Sequence, residues 1–289
     1  MYKRILIPTD GSTLSEDAVC HGMALAKSLG AGATVITVSP RFHTFETDPG
    51  MVIDTPKEYE RENQGTTEGS MGNAEDRRAE RERMVATQIE ARGIQDPLVL
   101  DAMRSVPREA FVPTAHTARA YDDAPVPIGE GQTMSAPYLT ALMAASIELK
   151  PTDRVLEIGT GSGYEAAILS KIAAEVYTVE QVASLADSAR RRLAELGYGS
   201  VSVLEGDGSL GWRAHAPYDA IVVAAAGPLA PAAPLEQLAI GGRLIMPVKQ
   251  VMGSQRLCRV TRTGDDDYES EDLQDTGCVP LIGAPGCGG

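Results

Sequence analysis

The sequence predicts an α/β fold, a doubly wound and mostly parallel sheet with an antiparallel edge, preceded by a truncated βαβ unit. After residue 150, short apolar runs alternate with segments of helical periodicity, as expected where helices cover both faces of a parallel sheet. The last two apolar runs are separated only by the turn at 264–267, so we expect them to pair antiparallel. Hydrophobic residues make up 43% and aromatic residues 4% of the chain, which predicts a core of Ala, Val, Leu and Ile.

The first 40 residues are predicted to form a single βαβ unit. Ile5–Ile7 and Ala33–Val38 are short apolar runs, and Glu16–Leu29 has helical periodicity with Ser15 as a plausible N-cap. One such unit cannot cover its own sheet edges. Residues 61–75 are polar and predict a linker, which divides the chain into 1–60, 61–75 and 76–289.

From residue 76 onward the pattern predicts one continuous globular region. The predicted helices are 76–92, 96–105, 115–120, 136–148, 163–172, 182–195 and 232–239. The predicted strands are 154–158, 175–180, 202–205, 220–224, 242–247, 255–263 and about 272–280. The segment between 125 and 137 is rich in Pro and Gly and predicts an irregular loop.

Charge and cysteine usage exclude several classes of function. The 26 basic and 40 acidic residues give a net charge of −14, which disfavours binding to nucleic acid or to an anionic membrane. No apolar run approaches the roughly 18 residues of a membrane helix. The four cysteines form no CxxC pair, which argues against structural zinc and a disulfide framework. We expect a cytoplasmic monomer with reduced thiols and no metal.

The strongest functional signal is the glycine-rich turn after the strand 154–158. Glu157 stands near the end of that strand, and Gly159, Gly161 and Gly163 lead into the next helix, where the backbone can approach a ligand closely. An acid before the first glycine would repel a pyrophosphate, but it suits a ligand that carries an ammonium group. The alternative interpretation is a tight turn without a ligand.

Two further acids follow the next two strands. Glu180 stands 17 residues after Gly163 and can accept hydrogen bonds from both hydroxyls of a ribose. Asp207, between two glycines, can accept from the exocyclic amine of an adenine. Each acid alone can equally be a surface charge or part of a plain turn. Together, the three acids fit an adenosine with a positively charged tail and no phosphates, which describes S-adenosylmethionine.

From about 76 to 285 the chain resembles the bacterial protein-L-isoaspartate O-methyltransferases. The segments that carry the resemblance are Arg92–Asp96, Val106–Val112, Pro127–Tyr138, the glycine-rich turn, Tyr218–Val223, Gly241–Val248 and Val279–Gly283. The resemblance implies a class I S-adenosylmethionine-dependent methyltransferase with a Rossmann-like fold. It also implies methyl transfer to the free carboxylate of isoaspartyl residues in peptides and age-damaged proteins, which initiates their repair.

The same resemblance implies roles for individual residues. Ser135 is the expected catalytic serine, in the most specific motif of the family, and Thr133, Val279 and Pro280 are expected beside it at the substrate. The expected cofactor-binding residues are Glu157, Gly159, Thr160, Gly161, Gly163, Glu180, Asp207 and Gly208. From its position alone, Ser135 can instead be the N-cap of the next helix, and the two roles can coexist. Cys278 and the segment 224–228 depart from the pattern of the family.

Residues 1–60 resemble the opening of a universal stress protein, through the segment Tyr2–Ala18 and the helix and strand after it. The glycine-rich phosphate loop of that family is absent, so we expect no contribution of this segment to catalysis. Two alternatives from other functional classes of protein remain. One is a NAD-dependent oxidoreductase that uses the same glycine-rich turn, and the other is a non-enzymatic stress-response module that binds a nucleotide.

Overall fold

The computed structural model describes residues 4–9, 32–37, 74–249 and 255–276. The chain divides into two compact units, Met1–Gly69 and Ser70–Gly289. In the first unit, β1 (Arg4–Thr9) and β2 (Gly32–Thr37) pair in parallel, as a βαβ unit requires. The helix predicted at 16–29 lies outside the described residues, and so does the predicted linker up to residue 73.

Helices open the second unit. They are α1 (Ala74–Met84), α2 (Pro97–Ser105) and, after a hairpin, α3 (Pro137–Ser146). The predicted helix 76–92 changes its winding after α1, to a π turn at Val85–Ile89 and then a 3₁₀ turn at Glu90–Arg92. Further 3₁₀ turns lie at Arg108–Phe111 and Thr114–Arg119.

A seven-stranded sheet forms the centre of the second unit. Its strands are β5 (Arg154–Ile158), β6 (Glu175–Glu180), β7 (Val201–Glu205), β8 (Tyr218–Val223), β9 (Leu238–Lys249), β10 (Gln255–Arg262) and β11 (Tyr268–Thr276). Their spatial order is β11-β10-β9-β8-β5-β6-β7. The five strands from β9 to β7 run parallel, whereas β10 pairs antiparallel with both β9 and β11. The predicted α/β fold with an antiparallel edge is therefore confirmed.

Helices connect the parallel strands, and hydrophobic residues fill both faces of the sheet. The connecting helices are α4 (Tyr164–Ser170), α5 (Ala183–Glu195) and α6 (Ala232–Glu236). On one face, Val155 packs with α1 to α4, and on the other face Leu156 and Ile158 pack with β9 and β10. Alternate residues of β5 thus point into two different parts of the core, and the strand is buried on both sides.

The structure corrects several predicted boundaries. The segment predicted as an irregular loop contains an antiparallel hairpin, β3 (Val126–Gly129) and β4 (Gln132–Met134). The residues at its turn, Glu130 and Gly131, have φ of 53° and 69°, so the chain reverses in two residues. Strand β9 extends beyond its predicted span at both ends, because Leu238 pairs with Tyr218 of β8 and Val248 and Lys249 pair with β10. Strand β11 begins four residues earlier than predicted, because pairing with β10 recruits polar residues into it.

No helix in the described part of the chain is long and apolar enough to cross a membrane.

Candidate active site

A cleft of about 800 Å³, open to solvent, lies at the carboxyl ends of β5 and β6. The β3–β4 hairpin and the start of α3 face these strand ends across the cleft. In the sheet order, β5 is followed on one side by β6 and on the other by β8, so the direction of winding reverses beside β5. Ligands of open α/β sheets bind at such a reversal.

Most of the residues predicted to form the site line this cleft. They are Thr133, Ser135, Glu157, Gly159, Thr160, Gly161, Glu180 and Gly208. Polar residues that the sequence analysis did not select also line it, namely Gln132, Thr140, Ser162, Glu165 and Gln181. These eight predicted residues therefore share one cavity.

Hydrogen bonds to β6 fix the glycine-rich turn. The Gly159 N–H donates to the carbonyl of Val179 at 2.9 Å. The Gly161 N–H donates to Oε2 of Glu180 at 2.8 Å. The hydroxyl of Thr160 lies 2.6 Å from that of Thr178, which places a second polar contact between the turn and β6. The turn is therefore held in place by the neighbouring strand before any ligand binds.

Glu180 both supports the turn and faces the cleft. Its Oε2 accepts from Gly161 and its Oε1 accepts from the Val182 N–H at 3.0 Å, while its side chain is only 6% exposed. Each oxygen of a carboxylate can accept more than one hydrogen bond, so acceptor capacity remains for the two hydroxyls of a ribose.

Glu157 is fully buried behind the turn. Its Oε2 accepts from the Thr178 hydroxyl at 2.5 Å, while its Oε1 has no hydrogen-bond partner. Burial, and then the nearby carboxyl of Glu165, raise the pKa of Glu157 well above its usual value. The hydroxyl of Thr178 and the backbone N–H of Ala166 oppose this shift only in part.

Glu165, on the first turn of α4, is a second buried carboxyl at the cleft. Its side chain is 7% exposed, and its Oε1 also lacks a hydrogen-bond partner. Burial raises the pKa of Glu165 to about 8. The sequence analysis missed this residue, although an acid in the otherwise apolar run Tyr164–Leu169 is a signal that could have revealed it.

The unpaired oxygens of Glu157 and Glu165 indicate which kind of ligand fits this end of the cleft. A buried acceptor without a partner is costly, and a positively charged donor in contact with it removes the cost. The same carboxyls would repel a pyrophosphate. These acceptor oxygens therefore fit the cationic end of S-adenosylmethionine and do not fit a dinucleotide.

Two described residues of the predicted cofactor set, Gly163 and Asp207, lie outside the lining of the cleft. Gly163 has φ of 89°, and a Cβ there would lie 3.3 Å from the side chain of Leu193, so the glycine serves helix packing. The carboxylate of Asp207 accepts from the Ser209 N–H at 2.9 Å and caps a 3₁₀ turn. That turn places Gly208 at the cleft, where a Cβ would lie 2.4 Å from Ile158.

Ser135 lies in the part of the lining that the β3–β4 hairpin and α3 supply. The N-cap of α3 is Ala136, and no side chain caps that helix. Among the described residues, none forms a hydrogen bond with the Ser135 hydroxyl. The structure thus gives no support to the alternative that Ser135 is a helix cap, and it leaves the hydroxyl available to a ligand.

Arg108 fixes the backbone at Ser135. Its guanidinium is fully buried and donates to the Ser135 carbonyl and to the Ala120 carbonyl, at 2.7 Å each. It also lies 4.7 Å from the centre of the Tyr164 ring. Burial lowers the pKa of this guanidinium. The sequence analysis quoted the segment that contains Arg108 but gave the residue no role.

The other predicted substrate residues, Val279 and Pro280, lie outside the described residues, as does Cys278. Ala224 and Ala225, in the departing segment 224–228, do line the cleft. In the described part of the chain, no group of three His, Cys, Asp or Glu side chains is placed to hold a metal ion.

Comparison with known families finds two matches along the chain. The profile of the protein-L-isoaspartate(D-aspartate) O-methyltransferase family matches residues 79–285. That of the universal stress protein family matches residues 1–102, more than the 60 residues expected from the sequence. The two matches overlap at 79–102, where Met84, Val85 and Ile89 belong to the core of the second unit.

Curated relatives and solved structures agree with the first match. Protein-L-isoaspartate O-methyltransferase 1 of Rhodopseudomonas palustris is 59% identical over 72% of this chain and 85% of its own length. A protein of that name from Methylorubrum populi is 50% identical over 73% of this chain and 99% of its own. A solved protein-L-isoaspartate O-methyltransferase superposes with a TM-score of 0.64 at 28% identity, over 70% of this chain and 66% of the other.

A second solved structure shares the fold. It comes from Plasmodium falciparum, is described as a protein-L-isoaspartate O-methyltransferase in complex with S-adenosyl-L-homocysteine, and superposes with a TM-score of 0.61. The match has 24% identity and covers 70% of this chain and 98% of the other.

Proposed function

This chain belongs to the protein-L-isoaspartate(D-aspartate) O-methyltransferase family, and we infer from that membership that it methylates the free carboxylate of L-isoaspartyl residues with S-adenosylmethionine. The observation that best supports the inference is the division of the cleft. One wall contains buried carboxyls with unpaired oxygens, and the opposite wall contains the hydroxyls of Thr133 and Ser135. A cationic methyl donor and an anionic acceptor suit these two walls.

We propose that the carboxyl-rich wall holds the methyl donor. Glu180 would accept hydrogen bonds from the ribose hydroxyls, and the glycine-rich turn would allow the protein backbone to approach the ligand closely. Glu157 would compensate the positive charge at the cationic end of S-adenosylmethionine. Gly208 lines the cleft without a side chain, because a Cβ at this position would lie too close to the side chain of Ile158.

The chemistry requires little from the protein beyond alignment. Bound S-adenosylmethionine supplies a methyl group on a sulfonium, which a carboxylate can attack directly. The acceptor is already ionised near neutral pH, so the chain needs no general base. The contribution of the protein is to orient the two reactants, which can account for a large part of the rate.

We propose that the hydroxyls of Ser135 and Thr133 donate hydrogen bonds to the acceptor carboxylate. Arg108 would support this by fixing the carbonyl of Ser135, and thereby the position of its hydroxyl. The β3–β4 hairpin covers this side of the cleft and would exclude water from it. The substrates would be peptides and proteins in which damage has produced an isoaspartyl residue, and the methyl ester would begin their repair.

Methylation of a matched peptide pair tests the proposal. The full chain is incubated with methyl-labelled S-adenosylmethionine and either an isoaspartyl peptide or the same sequence with a normal aspartyl linkage. We expect label only in the isoaspartyl peptide, as a base-labile ester. Equal labelling of both peptides, or of neither while S-adenosylmethionine binds, would contradict the proposal.

A further inference from the structure

Two buried carboxyls share the inner end of the cleft. Glu157 is on β5 and Glu165 is on the first turn of α4, both line the same cleft, and the carboxyl of Glu165 contributes to the raised pKa of Glu157. Their exposed fractions are 0% and 7%, and each has an Oε1 without a hydrogen-bond partner. Both residues line the cavity, and their unpaired oxygens are themselves buried.

The charges around this pair cannot keep both carboxyls ionised. Glu180, from β6, adds a third negative charge. Arg192, from α5, donates instead to the carbonyl of Ser162 at 2.8 Å. Arg108 donates to the carbonyls of Ala120 and Ser135 and lies against Tyr164. These guanidinium groups donate to neutral carbonyls, and among the described residues no Lys, Arg or His forms an ion pair with Glu157 or Glu165.

We propose that Glu157 and Glu165 hold at least one proton in the ligand-free protein and release one proton when the positively charged end of S-adenosylmethionine binds, which makes Glu165 a determinant of affinity for the methyl donor. The balance is simple: one O–H bond of a carboxyl breaks, its proton passes to solvent, and the carboxylate that remains pairs with the incoming cation. The identity of the ligand rests on the proposed function.

The raised pKa values of both groups agree with this proposal. The pKa of Glu165 is about 8 in the ligand-free protein, so the pair retains a proton at pH 7. An adjacent positive charge lowers the pKa of a carboxyl, so binding favours release. By linkage, if one proton is released per ligand, affinity rises by about tenfold per pH unit below the pKa of the pair.

Calorimetry of the full chain measures the proton directly. Binding is titrated at pH 7 in phosphate and in Tris, whose ionisation enthalpies differ, so that the difference in observed heat gives the number of protons released. The ligands are S-adenosylmethionine, S-adenosylhomocysteine and 5′-methylthioadenosine. The first carries sulfonium and ammonium charges, the second carries only the ammonium, and the third carries neither.

We expect S-adenosylmethionine to release close to one proton and 5′-methylthioadenosine to release none. Release with S-adenosylhomocysteine as well identifies the ammonium as the recognised charge, and release with S-adenosylmethionine alone identifies the sulfonium. In Glu165→Gln, release should fall to less than half, and affinity should change less than about twofold per pH unit. Glu205→Gln removes an equal charge from an exposed position at the end of β7 and should behave as the unchanged protein.

Binding of S-adenosylmethionine without proton release, or equal release in Glu165→Gln, would overturn this inference and leave the proposed function intact. Release with 5′-methylthioadenosine would overturn it too, because that ligand has no cation to offer. No binding of S-adenosylmethionine at all would overturn both.

Discussion

The wall of the cleft that is built from β5, β6 and α4 presents three carboxyl groups, whereas the lining residues of the β3–β4 hairpin present hydroxyl and amide groups. On the first wall, Glu180 accepts hydrogen bonds from two backbone N–H groups, and Glu157 accepts one from a hydroxyl. On the second, the Ser135 hydroxyl has no bond to the described residues, and its backbone is fixed by Arg108. The difference indicates that one cleft can attract a cation to one side and accept an anion on the other.

The largest effect is expected from adding a negative charge to the hydroxyl wall. Ser135→Asp should lower kcat/KM for an isoaspartyl peptide by about a thousandfold, because like charges about 4 Å apart near a surface repel by roughly 4 kcal/mol. Binding of S-adenosylmethionine, measured by calorimetry, should be nearly unchanged. Ser135→Asn is the neutral control of similar size, and its kcat/KM should fall much less. Full activity of a folded Ser135→Asp enzyme would refute the role of Ser135.

The next effect is expected on the carboxyl wall. Glu180→Ala should weaken S-adenosylmethionine binding by about 10- to 150-fold, since hydrogen bonds to a charged group contribute roughly 1.5–3 kcal/mol. Glu205 pairs with Glu180 in the register of β6 and β7 but is exposed, so Glu205→Ala is a matched control. Calorimetric affinity measures both variants, and thermal unfolding verifies that each is folded. Equal affinity of the two variants for S-adenosylmethionine would show that Glu180 does not bind this ligand.

A third effect, smaller for each pH unit, concerns the stability of the ligand-free protein. The pKa of Glu165 rises from 4.5 to about 8 on folding, so between these pH values the folded protein holds a proton that the unfolded chain has lost. The free energy of unfolding should therefore fall as pH rises through this window, by up to about 1.4 kcal/mol per pH unit from this group. Urea unfolding at several pH values measures the slope. Glu165→Gln should flatten the slope and Glu205→Gln should not, and a wild-type slope unchanged by Glu165→Gln would contradict the burial argument.

The smallest effect is expected from removing residues 1–73, which precede α1. The relative from Methylorubrum populi aligns over 99% of its length with 73% of this chain, so it has no counterpart of such a segment. The truncated protein should methylate an isoaspartyl peptide within about twofold of the full-length rate. A much larger loss, in a truncated protein that still binds S-adenosylmethionine, would show that the N-terminal segment assists one of the two walls.

The carboxyl wall was largely predictable from the sequence, and the hydroxyl wall was less so. Glu157 lies near the end of β5 and Glu180 ends β6, and the carboxyl ends of parallel strands meet at one edge of a sheet, so their proximity follows from the pattern. The hairpin was missed because its turn, Glu130 and Gly131, lacks the usual Asn-Gly signal and Pro127 suggested a loop. The place of Ser135 in the site came from the resemblance to the family.

Glu165 shows a limit of reading the sequence residue by residue. An acid on the first turn of a helix is ordinarily a favourable surface charge. Its burial depends on α4 packing against α2 and against the sheet, through contacts such as that of the Tyr164 hydroxyl with the sulfur of Met103. Such contacts join parts of the chain that are 60 residues apart, and no local pattern encodes them.

A crystal structure with S-adenosylhomocysteine tests the division of the cleft most directly. We predict that the ribose hydroxyls lie within hydrogen-bond distance of the Glu180 carboxylate and that the amino-acid end of the ligand points toward Glu157 and Glu165. The Ser135 hydroxyl should remain free of the ligand and face the space left for the peptide. A ligand with its ribose against the hairpin, or bound elsewhere on the sheet, would contradict the account.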